Sequence, residues 1–450
     1  MSGDKEIRKD RTADLPISTI PGPPCECGGS EHVSRRALLK GTVLGAAGMA
    51  LGNWGALFNS ETIAQEARKK PKRCILLWMA GGASHLDTFD LKPGRPVAGP
   101  FRPIKTNVAG LQVCEYLPRI AKQADKLAVI RSLSTSDPDH SGGTYLMHTG
   151  YRKEPAVTHP ELGAMMAKYL GPEGAELPSF IQLGAGGGES SPVTGPGFLG
   201  PVYQPFKMGG EGRMPENTSA YLAPEADRRR NDLLKFMDEE FVREHHNQGI
   251  RAYREADEKS RRLLKAKAAF DITAEWEKYK GLYGDTSFGK NCLMARKLVE
   301  TGVPFVEVEQ QNYDSHSDNF EWHKVLLPVL DMAWAGLLQD LHDRGLLQDT
   351  LVVWMGEFGR TPTINNRAGR DHYAKAWSVV LAGGGVKGGV VHGETDVDGR
   401  AVKDKLVTQA DLFATIYTAM GINPRVKHMV GIRPIWATPE GSLPIREILT

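Results

Sequence analysis

VPFVEVEQQNYDSHSDNFEWHKVLLPVLDMAWAGLLQDLHDRGLLQDTLVVWM occupies residues 303–355. Its ends, VPFVEVEQ and TLVVWM, are short runs rich in β-branched residues and read as strands. The stretch 323–344 between them reads as a long helix. Strand, helix, strand is the unit of a parallel sheet, because parallel neighbours need a crossover connection. Runs that are apolar along their whole length suit strands buried on both faces.

The pattern recurs outward from this unit. CILLWMAGG (74–82), KLAVIRSLS (126–134), SFIQLG (179–184) and WSVVLAGG (377–384) read as further strands. ELGAMMAKYL precedes SFIQLG, and NCLMARKLVETG precedes VPFVEVEQ, so helices alternate with strands. The alternation predicts a three-layer α/β/α sandwich with a mainly parallel sheet over residues 71–450. Residues 185–300 break it. Residues 184–212 are Gly/Pro-rich, and 226–269 are charged, with Leu233, Leu234, Met237 and Phe241 at helical spacing. A mostly loop and helical insertion is expected there.

Composition sets bounds. The chain has 450 residues, 40% hydrophobic and 24% charged, with a net charge of +2. That balance offers no bulk electrostatic case for nucleic acid or for a membrane surface. Five cysteines are too few and too scattered for a disulfide framework.

The first 70 residues read differently. SRRALLK (34–40) precedes GTVLGAAGMALGNWGALF, a Gly- and Ala-rich apolar segment. Paired arginines before such a segment resemble a twin-arginine export signal. The apolar stretch falls short of the roughly 20 residues that a membrane span needs. Residues 1–33 have the composition of a disordered region. Export to the periplasm or cell envelope by the twin-arginine machinery is expected, with a membrane anchor if the signal stays uncleaved.

Chemistry-bearing residues gather just after the strands. CILLWMAGG is followed by His85, Asp87 and Asp90, and LAVIRSLS by Asp137, Asp139, His140, Ser141 and His148. VPFVEVEQ leads to Asp314, His316, Asp318 and His323. TLVVWM leads to Glu357, Arg360, Arg370, Asp371 and His372. Any one cluster suits turn and capping chemistry. Together they occupy the rim where open α/β sheets place ligands. Mixed carboxylates and imidazoles suit a divalent ion such as Zn, Mn or Fe, with Ca as a further option.

From residue 303 onward the order Asp/His, long helix, strand, acidic residue resembles the alkaline phosphatase superfamily, which includes arylsulfatases. HSGGTYLMHTG is similar to its nucleophile turn, and VTQADLFATIYTAMGI (407–422) to a late sulfatase helix. The whole pattern resembles an uncharacterised twin-arginine-exported family of that superfamily, a domain of unknown function. The resemblance implies an alkaline phosphatase-like core. Asp314, His316 and His372 would bind one metal, and Glu357 with Asp87 or Asp90 a second. His140 or Ser141 falls at the nucleophile position.

The departures are local. Gly81-Gly82 stands where the superfamily has an acidic ligand, and Glu357-Phe358 where it has Asp-His. Cys292 begins CLMAR, which lacks the Cys-x-Pro-x-Arg pattern of formylglycine sulfatases. The expected function is therefore an exported metal-dependent hydrolase of phosphate or sulfate esters, without formylglycine. Arg360 and Arg370 would hold the anionic oxygens of a small-molecule or saccharide ester. The alternative is a non-catalytic metal- or anion-binding protein on a degraded hydrolase fold.

Overall fold

The computed structural model describes residues 72–184, 195–209, 223–245 and 267–450. The segment read as a twin-arginine signal therefore lies outside the described residues. The strands of the central sheet are β1 (Arg73–Met79), β2 (Leu127–Leu133), β3 (Phe180–Leu183), β4 (Phe206–Met208), β5 (Phe305–Gln310), β6 (Thr350–Met355), β7 (Trp377–Gly383) and β8 (Val390–His392). Their order is β8-β2-β7-β6-β1-β5-β3-β4. All neighbours pair in parallel except at β7, which runs antiparallel to both β2 and β6.

Alternate residues of each strand feed two cores. Ile75, Leu77, Val306, Val308, Val352 and Trp354 belong to one. It is closed by helices α5 (Ser287–Glu300) and α6 (Asn319–Asp343), through residues such as Leu293 and Trp334. Leu76, Trp78, Phe305, Val353 and Met355 belong to the other. There α1 (His140–Thr149), α2 (Leu162–Leu170) and α7 (Gln409–Ala419) pack, through Met147, Met165 and Phe413. Burial on both faces is why the strands carry no polar alternation. Each such Leu, Val or Phe contributes about 1.5–3 kcal/mol of burial. The three-layer α/β/α sandwich is thus as expected.

Two expectations change in detail. The segment at about 185–300 supplies the edge strand β4, and its helix α5 is a core element with Cys292, Leu293 and Met294 fully buried. Helices α3 (Pro224–His245) and α4 (Thr273–Tyr283) are the rest of its described α-helical content. Among the described residues, no helix is long and apolar enough to cross a membrane.

Candidate metal centre

The antiparallel β7 decides where the site forms. β6 ends at Met355 on the rim where β1 and β5 also end, and β7 starts there at Trp377. The connection 356–376 therefore leaves and rejoins the sheet at one rim. It folds on itself through a short antiparallel ladder in which His372 pairs with Arg360.

The end of β1 closes onto this loop. Gly81 has φ +106°, and a Cβ there would lie 2.2 Å from the Asp314 backbone N. Only glycine permits that approach. The Gly81 N–H donates to Glu357 Oε1 at 2.9 Å. The buried Arg360 Nε donates to the Gly82 carbonyl at 3.0 Å, and its Nη1 to the Arg370 carbonyl at 3.1 Å. Its Nη2 donates to the Gly81 carbonyl and, at 2.6 Å, to Asp314 Oδ1. Arg360 thus fixes Asp314 from below.

Three histidines surround Asp314. His372 Nε2 and His316 Nε2 each lie 3.2 Å from Asp314 Oδ1, and 2.9 Å from each other. His140 Nε2 lies 3.3 Å from the other oxygen, Oδ2. His140, Asp314 and His372 each offer a ligand atom, all within 4.8 Å of one another. The far nitrogens are all engaged. His316 Nδ1 donates to Asp371 Oδ1 at 2.7 Å, His372 Nδ1 to the Pro138 carbonyl at 2.7 Å, and His140 Nδ1 to Glu357 Oε1 at 2.8 Å.

These partners only accept, so they hold each ring with Nδ1 protonated and Nε2 turned toward Asp314. The lone pairs of His316 Nε2 and His372 Nε2 then face each other and a carboxylate oxygen. Such a triangle is repulsive unless a cation or proton bridges it. Tetrahedral ligand atoms around a zinc-sized ion sit about 3.3 Å apart at bonds of about 2.0–2.1 Å. The observed triangle fits a metal ion, and its side chains are partly open to solvent.

Electrostatics separate His140 from the other two rings. Burial opposes its charge, but hydrogen bonds and charges from Asp314 and Glu357 outweigh it and raise its pKa to about 9. Burial likewise opposes the Asp314 charge, yet His140, His372 and Arg360 hold it well below the usual carboxylate range. In the metal-free protein the His140 contribution to stability is full below pH 6.5 and is lost as pH rises through about 9. The Asp314 contribution is full above pH 3.8 and is lost as pH falls through its depressed value.

The other expected residues stand elsewhere. Asp87 and Arg370 are fully buried and paired with each other, Nε to Oδ2 at 2.8 Å. Asn319 also donates to Asp87, at 3.0 Å. The remaining Arg370 N–H groups reach the carbonyls of Val97, Thr361 and Pro362 and Asp87 Oδ1. Glu357 sits behind His140 rather than beside Asp314, as a brace for that ring and for Gly81. Asp90 accepts from Lys92 at 2.9 Å. Ser141 is exposed on the first turn of α1, its N–H capped by Asp139 at 3.0 Å. His148 and His323 are buried, and each Nδ1 donates back to its own helix.

Asp371 and the Pro138 carbonyl were not expected as partners of the histidines. Asp371 is adjacent in sequence to His372 but serves His316, and only the fold of the 356–376 loop reveals that. Gly143 lets α1 come close: a Cβ there would lie 3.3 Å from the Glu357 carbonyl oxygen. This proximity brings His140 to the same rim.

Fold and site together define an α/β/α sandwich protein with a histidine–aspartate cluster on the C-terminal rim of its sheet. Residues 71–449 match the family described as "Protein of unknown function (DUF1501)". The chain belongs to that family. No curated protein matches it in sequence.

Among solved structures the chain is similar to Ps i-CgsB in complex with k-i-k-neocarrahexaose. The two are 10% identical, with 79% of this chain and 73% of that one covered, at a TM-score of 0.39. It is similar to the lipoteichoic acid synthase LtaP from Listeria monocytogenes, at 8% identity, 84% and 80% coverage and a TM-score of 0.38. It is also similar to the C-terminal periplasmic domain of EcEptC from Escherichia coli in complex with Zn. That pair is 11% identical, covered over 85% and 96%, with a TM-score of 0.37.

Proposed function

We propose that the protein is an exported, metal-dependent hydrolase of phosphate or sulfate esters with an alkaline phosphatase-like core. One observation carries this reading: three imidazoles, each held at Nδ1, turn Nε2 onto the single carboxylate of Asp314. Asp314, His316 and His372 would hold the ion. A donor set this rich in nitrogen favours Zn, Mn or Fe over Ca. A divalent ion there would polarise an ester oxygen and stabilise negative charge developing on it.

The chain supplies the remaining roles. His140 faces the opposite oxygen of Asp314, and its two carboxylate partners favour the protonated ring, so it suits proton donation to a leaving alkoxide. Ser141, the next residue and exposed, is the proposed nucleophile. Glu357 holds the His140 ring in one orientation, and Asp371 keeps His316 in one tautomer. Arg360 fixes Asp314 rather than reaching for substrate.

Metal analysis of the purified mature protein, joined to a screen of phosphate and sulfate esters, tests the proposal. Bound metal with turnover that Ser141→Ala abolishes supports it. Metal-free protein without activity after reconstitution with Zn, Mn or Fe would sink it. The expected pH profile is specific. The reaction should slow at alkaline pH as His140 loses its proton, by about tenfold per unit. His140→Gln should remove that limb, and an unchanged alkaline limb counts against the assigned role.

A second reading is a non-catalytic metal-binding protein on a degraded hydrolase fold. It is favoured by the two arginines: the Arg370 N–H groups and those of Arg360 are directed at protein acceptors. Stoichiometric metal with no turnover of any ester would decide for it.

Export by the twin-arginine route is part of the proposal. Arg35→Lys with Arg36→Lys should leave the protein in the cytoplasm, because that pathway reads the paired guanidinium groups. Fractionation with unchanged export would remove the assignment.

A further inference from the structure

Helix α3 (Pro224–His245) carries an apolar stripe that the sheet does not use. Leu233 is 58% exposed, Leu234 37%, Phe236 62% and Met237 57%. On a helix of 3.6 residues per turn these side chains share one side, and Arg229, Arg230 and Glu240 extend it at the two ends. The stripe is thus basic at its N-terminal end, apolar in the middle and acidic at its C-terminal end. Burying a stripe of this kind against solvent-excluding partner surface would stabilise it; leaving it in water does not.

We propose that α3 is a homodimer interface, packed antiparallel against α3 of a second copy. An antiparallel pair about a two-fold axis level with residue 235 is self-complementary. Leu233 meets Met237, Leu234 meets Phe236, and Arg230 meets Glu240, each contact occurring twice as an isologous interface requires. Arg229 flanks the same Glu240 contact. The seam from residue 230 to residue 240 is about 15 Å long, and its 3-4 spacing of apolar positions is that of a short coiled coil.

Charge selects this arrangement over others. A parallel pair would set Arg229 and Arg230 against their own copies, and Glu240 against its own. An anionic lipid surface is disfavoured as the occupant, because Glu240 on the stripe would face it without a partner, whereas the second copy offers Arg230. Glu240 lies only loosely against Arg243 of its own helix, at 3.8 Å, with both side chains exposed.

Sedimentation equilibrium of the mature protein over a wide concentration range tests the proposal, with far-UV circular dichroism as a check on folding. Wild type should dimerise. Met237→Glu should raise the dimer dissociation constant by about a hundredfold or more while the spectrum stays unchanged. Arg230→Glu alone and Glu240→Arg alone should each weaken the dimer about tenfold. The double variant Arg230→Glu/Glu240→Arg should regain near wild-type affinity, and the two single variants mixed should form a heterodimer. Only an antiparallel pair predicts both recoveries. A wild-type monomer at every concentration would overturn the proposal. So would a dimer that Met237→Glu leaves intact, a double variant no better than the singles, or a monomer that instead floats with anionic phospholipid vesicles.

Discussion

Asp314→Asn should leave the purified protein with less than a tenth of the wild-type metal. The carboxylate is the only anionic group inside the triangle, and His316 and His372 both face its Oδ1. An amide keeps the shape but loses the charge that offsets a divalent ion. Changes to groups that merely orient a ligand cost about 10–100-fold in metal affinity. Loss of the ligand charge itself should exceed that, and Asp371→Asn provides the comparison. Folding should suffer less than binding. The Arg360 Nη2 can still donate to an amide oxygen, and the partial exposure of Asp314 screens the charge effect to about 1 kcal/mol. Titration of metal-free protein with Zn, Mn and Fe, read by calorimetry, checks the order. Wild-type affinity in Asp314→Asn would end the metal reading.

Arg370→Met should have the largest effect on stability, a loss of about 3–5 kcal/mol in denaturant unfolding. Asp87 and Arg370 are both fully buried, and removing one leaves the other charge without compensation. The double variant Asp87→Leu/Arg370→Met should be less damaged than either single variant, because it removes both charges together. This outcome would separate a structural pair from an anion grip. If Arg370→Met instead unfolds like wild type and loses only affinity for anionic esters, then Arg370 returns to the substrate-binding role.

The sheet was legible because both its faces are covered. Cys74–Met79 and Thr350–Met355 alternate between two cores, so neither shows a polar side and both stand out as apolar runs. Direction was not legible. Nothing in WSVVLAGG distinguishes an antiparallel strand, yet the reversal at β7 keeps the 356–376 loop on one rim. The edge strand Phe206–Met208 was missed because it has three residues and only Met208 is buried.

The site was legible as residue types placed after strands, which located Asp314, His316, His372 and His140. Pairings were not. Arg370 and Asp87 are 283 positions apart in the chain, and Glu357 and His140 are 217 apart. A guanidinium beside a carboxylate and one awaiting an anion read identically until the fold assigns neighbours. Buried Glu357 looked like a ligand for the same reason.

The close approach at Gly81 limits which side chains this rim can hold. A carboxylate introduced at position 81 would need a Cβ only 2.2 Å from the Asp314 backbone N, on a residue at φ +106°. Both loops would have to separate before such a side chain fitted. The Asp314 loop also carries His316, which meets His372 of the 356–376 loop, so separation would disturb the cluster that the new group was meant to join. A single substitution therefore does not give an acidic first strand. The glycine acts as a lock: single substitutions can retune the cluster around Asp314, but an acidic side chain at position 81 is closed to them.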